Sequence, residues 1–239
     1  MKAVIVAGVL AAATAAAAQP APGPIGAFAS RGTVVVSADR LMPLFAYTKD
    51  STDVGNNDTS SSSETSISLF SYGSPSQTIA YNIPRISLDY AIAPNITLGG
   101  SVIFFADLSA STSTTVGGTT SSADNAKATA FGLAPRIGYV LPLGPRLAIW
   151  PRGGFSYYTE SISNPPNGGN TTSDGFHQWS LDLEAQFVMA LAPHFFLQLG
   201  PAIDIPLSGA VSSTNGGTTV SDDNSQLHIG ITGGLGGFF

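Results

Sequence analysis

The sequence predicts an all-β chain that crosses a membrane as an antiparallel up-and-down β-barrel of about eight strands, with long polar loops at one end and short turns at the other. Three observations carry this. Charged residues are only 10% of the 239 residues, well under the quarter or so of a soluble domain, so something other than water must cover much of the surface. After the first twenty residues there is no run of about eighteen apolar residues, which excludes a transmembrane helix and leaves a closed barrel to satisfy every backbone group in lipid. Finally, long polar segments alternate with short proline-marked connections, and the strands between them keep apolar and polar residues on opposite faces. The length would admit one large all-β domain or two ordinary ones, and the single repeated plan favours one.

Residues 1–18 carry one lysine, Lys2, then an apolar alanine-rich run ending in small residues, with an A-x-A site at Ala16 and Ala18. This reads as a secretory signal peptide cleaved before Gln19, because the run is too short and too alanine-rich for a retained anchor. Residues 19–31, rich in proline and glycine, are expected to form a short extended lead-in on the periplasmic side, and residues 32–239 the barrel. Cysteine is absent, which removes disulfides, thiolate metal sites and a cysteine nucleophile. The net charge of −6 and the lack of basic runs make nucleic acid an unsuitable partner.

Residues 49–66, 109–125, 160–175 and 208–224 are dominated by Ser, Thr, Gly, Asn and Asp and belong in water as loops. Between them lie three tight connections around Pro94, Pro142 and Pro145, and Pro193. Four long loops and three short turns imply eight strands with both ends on the short-turn side. Parity supports the count. The sixth strand sets Trp179, Leu181, Leu183, Phe187 and Met189 against Gln178, Ser180, Asp182, Glu184 and Gln186, and the third, fourth, fifth, seventh and last behave alike. The first strand is the exception: Asp39 and Arg40 are adjacent, so one would face lipid unless a bulge intervenes. In the second, Arg85, Ser87 and Asp89 face in, the phase before them is uncertain, and residues 66–73 read as an extension of the first hairpin above the membrane. Aromatic residues gather near strand ends, Tyr47, Tyr81, Phe131, Phe155, Tyr157 and Trp179 at the outer level and Tyr90, Tyr139, Phe187, Phe195 and Phe239 at the periplasmic one.

The interior of such a barrel is just wide enough for side chains to fill. Its expected lining is Arg85, Asp89, Asp107, Arg136, Arg152, Asp182, Glu184, Asp204 and His228, with few large apolar residues. Opposite charges confined there should pair into a ladder, since an unpaired one is costly to bury. The ladder would plug the lumen. The alternative is a narrow path for ions or small solutes, favoured by small inward residues such as Gly99, Ser101, Ala134, Gly154 and Gly200. A third possibility is a lipid-modifying enzyme. His228 should approach Asp204 on the neighbouring strand, and Ser225 completes a nominal set, but no G-x-S-x-G elbow is present, so the pair reads as structural. His177 and His194 are expected to be solvated. The loop acids follow no metal-binding spacing, and the glycines from 233 to 237 no phosphate-binding one, so neither a metal nor a cofactor is expected.

Residues 226–239, Q-L-H-I-G-I-T-G-G-L-G-G-F-F, put Leu227, Ile229, Ile231, Leu235 and Phe239 on one face and Gln226, His228 and Thr232 on the other. An amphipathic strand closing on phenylalanine resembles the C-terminal assembly signal of bacterial outer-membrane barrels, with Phe239 as its key residue. From residue 32 onward the organisation resembles the small outer-membrane barrel proteins of the OmpA and OmpX type. The resemblance implies an outer-membrane location, a non-enzymatic structural or surface-interaction role, a monomer, and outer-membrane lipid and the barrel assembly machinery as partners. It names no ligand for the loops.

Overall fold

The computed structural model describes residues 23–53, 59–66, 83–106, 111–116, 119–124, 126–167 and 170–239. The expected signal peptide, Tyr81, Asp107 and nearly all of the hairpin extension expected at 66–73 lie outside them. A short helix α1 (Pro24–Phe28) precedes the strands β1 (Val34–Asp53), β2 (Thr59–Ser66), β3 (Arg85–Ala93), β4 (Ile96–Ala106), β5 (Ser111–Val116), β6 (Thr119–Asp124), β7 (Lys127–Tyr139), β8 (Leu141–Pro142), β9 (Leu147–Asn167), β10 (Asn170–Ala192), β11 (Phe195–Asn215) and β12 (Thr218–Phe238). Eight of them form a closed antiparallel ring, β1-β3-β4-β7-β9-β10-β11-β12 and back to β1. Among the described residues each of the eight strands has a partner on both sides, as strands in lipid require.

The short connections lie at one end. Pro94 and Asn95 join β3 to β4, and Pro193 and His194 join β10 to β11. Asn95 takes the left-handed conformation, φ 66°, that a turn of this kind demands and asparagine tolerates. The two ends of the ring meet at this level, where Val34 N donates to Phe239 O and Phe239 N to Val34 O, both at 2.9 Å.

At the other end the polar segments are mostly strand, which corrects the expectation of loose loops. β9, β10, β11 and β12 run for 21 to 23 residues, about twice the 9–11 that a tilted strand needs to cross a bilayer. Their upper halves continue the wall as ribbons, and β2 extends β1 in the same way, pairing with Ala46–Asp53 while β3 pairs with Val34–Asp39. Threonine suits a pleated surface, and pairing satisfies backbone groups that a loop would leave to water. The β11–β12 ribbon closes on Gly216 and Gly217, with φ of 57° and 86°, the double positive φ of a tight hairpin turn.

The outward face carries the apolar parity set. Ile86 is 72% exposed, Phe104 68% and Phe155 53%, with Leu98, Leu133, Ile137, Trp179, Leu199 and Ile231 also exposed. Among the described residues no oily second layer covers them. Lipid is the solvent that makes such a belt stable.

The inward face departs from expectation in one respect: it is not mainly polar throughout. Near the periplasmic end Val35, Val140, Trp150, Val188, Phe196 and Phe238 form an apolar cluster with Ile25, Phe28 and Ala29 of the amino-terminal segment. Above the middle, Ile83, Ile103, Ala128, Ala130, Tyr158 and Phe176 form a second one. Apolar packing at two levels of the interior adds burial that a wholly polar tube cannot.

Candidate functional site: a buried ion cluster across the lumen

Between these two apolar layers the inward residues of six strands converge. Arg136 of β7 grips Asp89 of β3 with two parallel bonds, Nε to Oδ1 at 3.0 Å and Nη2 to Oδ2 at 2.6 Å. Its third nitrogen, Nη1, lies 2.5 Å from Asp39 Oδ2. Arg152 of β9 sits between Asp39, at 3.3 Å, and Glu184, at 2.5 Å. Arg85 of β3 binds Asp182 at 3.1 Å and reaches Asp204 at 3.7 Å. Arg40 of β1 holds Asp204 through two bonds of 2.6 and 2.7 Å and Glu184 through two more of 3.0 and 3.2 Å. The forked geometry of guanidinium and carboxylate is what makes such pairs strong. Every one of these nine side chains is buried.

Asp39 is the hub. Its carboxylate accepts from Ser37 Oγ at 2.8 Å, Ser87 Oγ at 2.7 Å, Gln198 Nε2, and both Arg136 and Arg152. Five donors on two oxygens leave little of its hydrogen-bonding capacity unused. Below it Arg152 lies over the Trp150 ring at 4.6 Å, a cation–π contact, and Trp150 Nε1 donates to Thr97 Oγ1 at 3.1 Å.

The expected ladder residues Arg85, Asp89, Arg136, Arg152, Asp182, Glu184 and Asp204 thus all meet in one cluster, and Asp107 is not described. Two central members were missed. Asp39 and Arg40 both point inward because β1 bulges between Ala38 and Met42, with Arg40 at φ 55°. The two extra residues of β1 across this shift let consecutive side chains share one face, so neither charge meets lipid. The adjacent charges in an otherwise apolar strand were the available signal.

His228 stands opposite Asp204 in the β11–β12 register, but both oxygens of Asp204 are bound by Arg40. The His228 ring lies 3.0 Å from Thr48 Oγ1. Ser225 falls three residues away, on the opposite face, so the nominal Ser, His, Asp set does not assemble. His177 is exposed. His194, expected to be only solvated, holds the end of β12: its Nδ1 donates to Phe238 O at 2.9 Å, and its ring stacks on Phe239 at 6.2 Å. Phe239 itself is 74% exposed.

The described part of the lead-in, residues 23–31, is not extended as expected. Pro24 presets the first helical turn, Ile25 and Phe28 fall on one side of it, and both are fully buried. Phe28 meets Trp150, Phe196 and Phe238 edge-on, with ring centroids 5.1, 5.3 and 5.5 Å apart. The segment is tied to the periplasmic turns by Asn95 N to Ala29 O at 2.8 Å and Ile25 N to Pro145 O at 3.2 Å. It enters the barrel mouth because its apolar residues have nowhere else to be buried.

Among the small inward residues, Gly154 is set by the strand beside it. A Cβ added to Gly154 would overlap the Pro135 carbonyl and lie 2.8 Å from Arg136 Cα, so the glycine serves close approach of two strands.

A closed eight-stranded antiparallel ring with an apolar outer belt, short turns below and long ribbons above has the fold of the small outer-membrane β-barrels. No protein-family profile and no curated protein matches the sequence. The fold is similar to the crystal structure of the outer membrane protein OprG from Pseudomonas aeruginosa, with a TM-score of 0.51 and 13% identity over 88% of this chain and 97% of that one. Looser likenesses are the N-terminal β-barrel domain of Pseudomonas aeruginosa OprF, at a TM-score of 0.39, 10% identity and 87% and 98% coverage, and Ail of Yersinia pestis, at 0.34, 10%, and 87% and 99%.

Proposed function

We propose that this chain is an outer-membrane barrel with a structural or surface-interaction role and a lumen closed to ions and solutes. The observation that carries the reading is the buried cluster of Asp39, Arg40 and their partners, which spans the interior between two apolar layers. An ion moving through would have to separate paired charges that are shielded from water, which is costly. The ribbons, rich in serine, threonine and acids, present the surface that meets the environment. A catalytic role finds no support in the histidines, each of which is either exposed or engaged within the wall. Outer-membrane lipid and the assembly machinery are the partners this reading requires. The test is single-channel recording in planar bilayers with the purified protein. The expected result is a silent membrane; reproducible current steps that change in Arg136→Ala would replace the closed barrel with a charged path.

A further inference from the structure

The ion cluster leaves a specific remainder of polar atoms. Among the described residues, Arg85 Nε, Arg152 Nε and Nη2, Ser101 Oγ and Glu184 Oε2 are buried and make no hydrogen bond. Glu184 Oε2 faces Arg152 Nη2 at 2.5 Å, so its charge is met, but the two are out of line and the lone pair stays open. All four residues line the same small cleft, whose remaining wall includes Ala134 and Pro135. Ser101 stands opposite Ala134 in the β4–β7 register, which fixes the hydroxyl at that wall.

We propose that this cleft is a binding site for one water molecule at the centre of the ion cluster. The unmatched atoms are three N–H donors, of which Arg152 Nη2 is already in charge contact with Glu184 Oε2, one carboxylate oxygen and one hydroxyl. Water is their complement: it accepts from Arg85 Nε and Arg152 Nε and donates to Glu184 Oε2 and Ser101 Oγ, the four bonds a buried water can make. The cleft has room for about one such molecule. An anion would satisfy the two guanidinium groups but face Glu184 Oε2, inside a cluster of four arginines and five carboxylates whose formal excess is already negative. A cation would face both guanidinium groups. The bound water adds a direct link between the Arg85–Asp182 pair and the Arg152–Glu184 pair, which Asp204 and Arg40 already join from the other side. The site deepens the closed-lumen reading, yet its test does not use conductance, so either can fail without the other.

The decisive variant is Ser101→Val, because the two accounts of the cleft predict opposite signs. A water site loses its hydroxyl and its water, which strands the Arg85 and Arg152 N–H groups. The temperature at which the compact barrel opens in detergent should then fall, by about 5 °C, while Ser101→Thr, which keeps the hydroxyl, falls less. A dry packing gap would instead be filled by the valine methyls, and the opening temperature would hold or rise. If Ser101→Val does not fold, Ser101→Ala, which removes the hydroxyl without filling the cleft, should lower the opening temperature if the hydroxyl holds a water and leave it unchanged or raised if that hydroxyl is stranded in a dry gap. A crystal structure of the unaltered protein that resolves ordered water should show one peak about 2.7–3.2 Å from the four atoms. No peak there, or an anomalous bromide signal at that point after soaking, overturns the proposal.

Discussion

Asp39 shows how much one residue can hold in a barrel this narrow. Replacing it with alanine removes the acceptor for two arginines, two serines and a glutamine, and leaves Arg152 with Glu184 alone among its ion-pair partners. Breaking a buried pair from one side costs about 3–5 kcal/mol. The Asp39→Ala protein should therefore open at a clearly lower temperature or denaturant concentration than the parent, read as the shift from the compact to the extended band on a gel. An unchanged midpoint would mean that the cluster is not the hub described. Much of this cluster was legible in the sequence, since inward parity alone picks out Arg85, Arg136, Arg152, Asp182, Glu184 and Asp204. Asp39 and Arg40 were not, because strict alternation has no place for two neighbours on one face, and only the bulge provides one.

At the scale of the element, α1 and the ribbons make separate predictions. Phe28 fills a cage of three rings, so Phe28→Ala should cost about 3–5 kcal/mol in the docking of the amino-terminal segment. Arg31, exposed just after the helix, then reports on it. Trypsin should cut there far faster in the variant than in the parent, with the barrel itself intact. The proline- and glycine-rich composition of residues 19–31 suggested a linker, and it hid the docking because two apolar side chains are too few to show a period. The ribbons were concealed for a related reason. Serine- and threonine-rich segments lack the apolar alternation that marks a strand, and here the strand is continued from the wall below rather than initiated locally. Gly217→Ala at φ 86° should fray the β11–β12 tip by about 1 kcal/mol, seen as faster amide exchange from residue 212 to 221, while the compact gel band is unchanged.

For the whole molecule, the eight-stranded ring was readable because a membrane imposes one rule on every strand. Connection lengths counted the strands, and outward parity identified the belt. The two apolar layers inside were less visible: Trp150, Phe196 and Phe238 sit on the inward parity, but the expectation of a polar lumen drew attention away from them. A ring closed by hydrogen bonds on every side and filled with paired charges should resist dissociation in mild detergent. The unheated protein should migrate faster on a gel than the boiled one, and identical migration would contradict a closed barrel in solution.

The seam between β1 and β12 joins residues near opposite ends of the chain, with Val34 bonded to Phe239. Contacts of such long sequence separation form late, after a large loss of chain freedom. Until they form, the growing sheet has two bare edges, each a row of unsatisfied amides that hydrocarbon cannot accommodate. Closure of this seam is therefore the step expected to limit entry into the bilayer, since a sheet inserted before it would carry two unshielded margins.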